Sequence, residues 1–356
     1  MQAHKKIEKP RLLYIDFLRI FSIILVFYNH TYTNGFSLFT IRRDSPLFPV
    51  YLLCTVFSKI AVPLYFMISG ALLLRREERL SDVFKKRFCK YAVVLLAASL
   101  VNYLLFQKDK GMSVGDFFTR VYSSNVTTSL WFLYAYLGFI LMLPLLRKMA
   151  RLMEEKDYLW LTGIVLLFSV VRLGQFLLFK GELFYNTNFA VALTGNTIFY
   201  PLMGDYLANK VDLKKVSGRK ILLCCALALM SMCITGWVTC VWCNHLGEWK
   251  ESTCQKFINE LVCIPTFTVF LAARYFFTKM TISKWLEKTI VLLGSATFGV
   301  YLFEKLYRSL TQVVFTSLDR YLPTFAACFL WILCAFMLGS FITLILKKIP
   351  LIKNYL

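Results

Sequence analysis

Ten apolar blocks, separated by polar or charged residues, recur along the chain at 12–28, 47–74, 91–106, 130–146, 158–179, 189–207, 221–243, 257–277, 289–303 and 325–346. A helix needs about 20 predominantly apolar residues to cross a bilayer, and a soluble fold does not repeat blocks of that length. The pattern predicts an all-α, polytopic membrane bundle of about ten transmembrane helices, with the third and ninth blocks short for a full crossing. The longest polar stretches, 107–128 and 304–323, are loop-sized: they cap a site but are too short for a core of their own. The chain therefore reads as a single transmembrane domain over 1–356, with no repeat of fixed period and no low-complexity tract.

Composition agrees with the pattern: 58% of residues are hydrophobic and 17% charged, and mean hydropathy is +0.61. The net charge of +21 is of the kind that draws nucleic acid, but its placement argues for topology instead. Lys5, Lys6, Lys9 and Arg11 precede the first block, and Arg75, Arg76, Arg79, Lys85, Lys86 and Arg87 follow the second. The same enrichment returns at Arg147, Lys148 and Arg151, at Lys210, Lys214, Lys215, Arg219 and Lys220, at Arg274, Lys279, Lys284 and Lys288, and at Lys347, Lys348 and Lys353. The alternating connections hold one to three cations each, so the positive-inside rule predicts both termini in the cytoplasm of a multi-pass plasma-membrane protein. No small-residue cleavage site follows the first block, which predicts that it stays in the bundle.

That first block carries Asp16 and Arg19, with His30 just past its end. Ionisable side chains cost roughly 2.5–3.5 kcal/mol each at the centre of a membrane helix on insertion scales, so they mark functional positions. Eleven residues separate Arg19 from His30, which at about 3.6 residues per turn returns them to nearly one face, roughly 16 Å apart along the axis. One helix thus presents a permanent cation in the inner half and a titratable imidazole near the outer face.

The run from Leu12 through Asp16 to Arg19, with His30 after ten intervening residues, resembles the opening of the membrane-bound acyltransferase 3 family, which O-acylates surface glycans and other extracytoplasmic acceptors. Further blocks match in order: 61–70 (AVPLYFMISG), 130–134 (LWFLY) with Pro144 and Leu146, and 297–302 (TFGVYL). The resemblance covers nearly the whole chain. It implies a ten-span fold that takes an acyl group, most simply acetyl, from a cytoplasmic acyl-CoA substrate and delivers it to a hydroxyl of an extracytoplasmic glycan or lipid-linked glycan. No bound cofactor is implied.

His30 then reads as the general base, since a neutral imidazole with an ordinary pKa of about 6.5 takes the proton of an attacking hydroxyl near neutral pH; the bland alternative is an interfacial histidine capping its helix. Arg19, with five donors, suits a phosphate or pantetheine carbonyl of the donor, or else an ion pair with Asp16 three residues earlier; both hold together if Asp16 positions the guanidinium. Glu304 stands where many relatives place a histidine. There it serves to orient His30 or stabilise its imidazolium, or it is a solvated helix end. Lys59, too deep to snorkel easily, reads as an oxyanion stabiliser or as the partner of an acid such as Glu260 or Glu304. Trp131 is an interfacial anchor or a sugar-stacking surface. Arg172 and Asn196 face an aqueous pocket or bond between helices. Ser69 and Gly70 suit close helix packing better than nucleophilic attack, for no G-x-S-x-G elbow surrounds the serine. Cys240, Cys243, His245 and Cys254 resemble half a zinc site, or hold a disulfide, or are free thiols; no metal is assigned.

The rival class is a proton-coupled secondary transporter of an anionic or sugar-like solute, with His30, Asp16 and Glu304 as the relay and Arg19 gripping the solute. Two-halved internal similarity and paired Gly/Pro-interrupted spans, which many transporters show, are not evident. A structural membrane subunit leaves the deep charges unexplained.

Overall fold

The computed structural model describes residues 12–107, 111–123, 126–179 and 192–356, and these are helical with no strand among them. The basic residues Lys5, Lys6, Lys9 and Arg11 and the first three positions of the sixth apolar block lie outside the described residues. The helices used below are α1 (Leu13–Asn29), α2 (Phe48–Ser58), α3 (Ala61–Leu73), α4 (Cys89–Phe106), α5 (Val114–Ser123), α6 (Trp131–Leu152), α7 (Glu155–Phe179), α8 (Asn196–Asp205), α9 (Gly218–Leu246), α10 (Glu251–Ile258), α11 (Cys263–Lys279), α12 (Lys284–Leu302), α13 (Glu304–Leu310), α14 (Gln312–Leu318) and α15 (Thr324–Leu346).

Among the described residues, six helical stretches are long and apolar enough to cross a membrane: Phe48–Leu73, Leu80–Phe106, Thr128–Leu152, Glu155–Phe179, Gly218–Leu246 and Thr324–Leu346. Two further stretches qualify as bent pairs, α10 with α11 at 68° and α12 with α13 at 91°. Helix α1 has 17 residues, about 25 Å of rise, short of a full crossing of about 30 Å by about one turn. Helix α8 has 10 residues before the chain widens into a π-turn at Tyr206–Lys210.

Helix α1 is the axis of the bundle and packs against α2, α3, α11, α12 and α15. Nine of its residues are buried, Asp16 and Ser22 among them. Helices α3 and α8 cross with backbone against backbone: a Cβ on Gly70 would lie 1.9 Å from the Pro201 carbonyl oxygen, and one on Gly204 would lie 2.0 Å from that of Met67. Gly70 thus has the packing role its small size suggested.

At the end of the bundle that carries the basic connections, ion pairs lock the helices together. Asp205 is fully buried and accepts two bonds of 2.8 Å from Arg75. Glu78, between two candidate spans, accepts from Arg87 Nε and from Arg147 Nη2, each at 2.8 Å. Those two guanidinium groups hold its carboxyl down at about 2 against its partial burial.

Candidate active site

The last turn of α1 is tied down from two directions. Asn29 Nδ2 donates to the carbonyls of Leu25 (2.9 Å) and Ser58 (2.8 Å), and Ser58 Oγ donates back to Asn29 Oδ1 (3.2 Å), which fastens the helix end to the break between α2 and α3. His30, the residue that caps α1, offers its own carbonyl to Arg308 Nη1 at 2.7 Å. A cation at a helix C-terminus satisfies an otherwise orphaned carbonyl and the negative end of the helix dipole.

Behind the His30 ring stands Glu304. The 91° bend between α12 and α13 turns the chain inward at this point. Asn102 on α4 donates to the Leu302 carbonyl (3.2 Å) that the break exposes. Glu304 opens α13 and is 1% exposed. Its Oε1 lies 3.2 Å from His30 Nδ1, an ion-pair distance slightly off the line of a hydrogen bond. It accepts the Ser129 hydroxyl, and its Oε2 accepts Arg308 Nε at 2.7 Å. A buried carboxylate is tolerated when such partners saturate it. Ser129 is held in turn by its carbonyl, which accepts the Tyr301 hydroxyl at 2.8 Å. His30 Nδ1 is itself buried while the ring keeps partial exposure, so Nε2 is the nitrogen left to meet a ligand.

His30 lines a cavity of about 860 Å³, called outer after the topology that the charge pattern predicts, together with Lys59, Trp131, Arg172, Asn196 and Glu251. Arg19 lines a second, inner cavity of about 330 Å³, with Arg76, Arg87 and Lys90 as further cations. Three aromatic side chains, Tyr65, Phe132 and Tyr301, belong to the walls of both. Phe132 sits 5.6 Å, centroid to centroid, from each of the other two rings. Tyr65 also donates to the Arg19 carbonyl at 3.3 Å.

The candidates from the sequence are thus divided between the two cavities. Asp16, buried behind Arg19, accepts from its Nη1 at 3.1 Å, as their spacing suggested. Ser69 lines the inner cavity and donates to the Tyr65 carbonyl at 2.8 Å, so it lies on the Arg19 side and apart from His30. Arg172 does both things expected of it: it lines the outer cavity and pairs with Glu260 at 3.0 Å. Lys59 departs from expectation. Glu260 and Glu304 are engaged by Arg172 and Arg308, and Lys59 Nζ instead lies 4.3 Å from the centroid of the Phe36 ring, with Glu251 as the acid in its field. Arginine's forked donors take both carboxylates, and the ring face partly offsets what the lysine loses.

Arg308, Ser129 and the basic set around Arg19 were missed by sequence reasoning. Arg308 follows Glu304 by four residues on one helix, a spacing that does announce a pair. Ser129 gives no local signal. Tyr65, Phe132 and Tyr301 each fall inside one of the three aligned blocks quoted above, 61–70, 130–134 and 297–302.

A family model described as an acyltransferase domain matches residues 12–345 of the chain. No curated protein and no solved structure matches it.

Proposed function

The chain belongs to the acyltransferase domain family and is a membrane acyltransferase of groups other than amino-acyl groups; on that premise we propose that it moves an acyl group from cytoplasmic acyl-CoA to a hydroxyl of an extracytoplasmic glycan or lipid-linked glycan. The simplest donor is acetyl-CoA. The reading includes a ten-span topology in the plasma membrane with both termini in the cytoplasm, on the positive-inside argument.

The observation that carries it is the arrangement of His30 at the wall of the outer cavity with Glu304 and Arg308 behind it. In the proposed reaction the acceptor oxygen attacks the thioester carbonyl while His30 Nε2 takes its proton. Glu304, behind Nδ1, fixes the tautomer and stabilises the imidazolium, and Arg308 keeps that carboxylate ionised and aligned. Collapse of the tetrahedral intermediate breaks the C–S bond, and the imidazolium returns its proton to the departing CoA thiolate. Lys59, facing the same cavity, suits the oxyanion. Arg19, Arg76, Arg87 and Lys90 suit the phosphates of the donor's nucleotide, with Asp16 aligning Arg19. The donor's arm then reaches His30 past Tyr65, Phe132 and Tyr301, and the roughly 16 Å from Arg19 to His30 is about the reach of an extended pantetheine. Trp131 and Arg172 are left to the acceptor, and Ser69 to the donor side.

The test is release of CoA thiol from acetyl-CoA by purified protein in lipid with a crude glycan acceptor. Turnover is expected to fall at least about 10²-fold in His30→Ala with the fold retained, and Arg19→Ala is expected to act through the KM for the donor. Absence of acceptor-dependent thiol release from the wild type, across several acyl-CoAs and acceptors, would overturn the reading.

A further inference from the structure

Helix α9 ends at Gly247, whose φ of +67° suits glycine; its N–H bonds the Asn244 carbonyl, and the Glu248 N–H bonds that of Cys243 at 3.1 Å. That turn sends α10 back along the end of α9. Two faces of α10 then do different work. Glu251, Gln255 and Asn259, spaced four apart, line the outer cavity, and Ser37 Oγ holds Glu251 at 2.5 Å. Cys254, Phe257 and Ile258 pack inward with Val238, Trp242 and Cys243 of α9.

On the inward face Cys243 and Cys254 meet. They are 0% and 1% exposed, and their Sγ atoms are 3.0 Å apart. Non-bonded carbon atoms pack best at about 3.5–4.0 Å, and sulfur is larger, so the contact is closer than packing alone favours. Zinc does not account for it: among the described residues no three His, Cys, Asp or Glu side chains converge as ligands. His245 lies against the rings of Phe176 and Trp242 instead.

We infer that Cys243 and Cys254 form a disulfide that fastens α10, and with it one wall of the outer cavity, to the end of α9. The bond forms by exchange with a disulfide-bearing oxidant as α10 docks and before the pair is buried. One thiolate attacks a donor sulfur and releases a donor thiol; the second displaces the mixed disulfide. Each cysteine gives up one proton, and the two electrons reduce the donor disulfide to two thiols. In the cell this donor belongs to an oxidising compartment on the side to which the outer cavity faces. The bond itself does not depend on acyl transfer, so turnover is not its readout.

The full chain, purified in lipid, is folded in the presence of oxidised glutathione, quenched with an alkylating agent, digested without reductant and analysed by mass spectrometry. A peptide joining Cys243 to Cys254 is expected in the wild type and in Cys240→Ser, and is expected to disappear in Cys243→Ser and Cys254→Ser. Amide exchange in 251–258 is expected to quicken about tenfold or more on reduction of the wild type, with no such change in Cys254→Ser. Alkylation of both cysteines in the folded, oxidant-treated wild type would overturn the inference, as would a bond that runs through Cys240 or between two chains.

Discussion

Replacing Glu304 by glutamine keeps the size and one acceptor oxygen of the side chain while removing its charge. The carboxylate lies 3.2 Å from His30 Nδ1, so an imidazolium there is stabilised by about 5 kcal/mol gross at an effective dielectric of about 20. Arg308, at 2.7 Å from the other oxygen, draws on the same charge and offsets roughly half of that. The remaining 2–3 kcal/mol or so corresponds to about 10²-fold in kcat. The amide oxygen still accepts from Arg308 or Ser129, but Arg308 loses its buried counter-ion, so a lower melting temperature is also expected and kcat is normalised to folded protein. Thiol release with saturating acetyl-CoA and acceptor is the assay, and the donor KM should stay within about twofold because the Arg19 cavity is untouched. A kcat within threefold of wild type in a folded Glu304→Gln protein would refute the positioning argument, and an equal loss in kcat and donor affinity would point to a collapsed site.

Gly70→Ala places a methyl group 1.9 Å from the Pro201 carbonyl oxygen, which is backbone and cannot step aside. A loss of about 2–4 kcal/mol is expected, read as a lower thermal midpoint in lipid, whereas a midpoint unchanged from wild type would mean that α3 and α8 are further apart than described. The Glu78 carboxyl is held at about 2 by Arg87 and Arg147, below its ordinary 4.5. Its folded value is depressed, so its contribution is present above about pH 4.5 and is lost as the pH falls towards 2. Glu78→Gln should therefore cost about 1–2 kcal/mol at pH 7, after screening of a partly exposed group, and the gap to wild type in thermal melts should narrow at pH 3.

In the first apolar block the charges stand out because they interrupt a hydrophobic run: the Asp16–Arg19 pair, and the separation of Arg19 and His30 into two cavities, are as the spacing suggested. Hydropathy was less informative about where helices end. The block 47–74 contains a helix break at Lys59 and Ile60, the block 257–277 starts in α10 and runs through a 68° bend, and the block 289–303 stops at the 91° turn that delivers Glu304. Apolar composition is continuous across such breaks, so it cannot reveal them. Nor does any period join Ser129 to Glu304 or Arg308 to His30, separated by 175 and 278 positions. Of the two readings of Lys59, pairing with an acid such as Glu260 or Glu304 fails for the same reason, since both pair with arginines. Which carboxylate a deep cation meets is decided by helix packing that one sequence does not encode locally.

The three rings common to both cavity walls bear on a problem unrelated to acyl chemistry. A bundle hollowed from both ends has its thinnest insulation where the hollows meet, here at Tyr65, Phe132 and Tyr301. Across that partition most of the transmembrane potential would drop, worth about 2.3 kcal/mol per elementary charge per 100 mV. Phe132, the middle ring, has no group that passes a proton, and both tyrosine hydroxyls are committed to backbone carbonyls. If the donor's arm passes these rings, as proposed, the same side chains would also have to close the partition to ions.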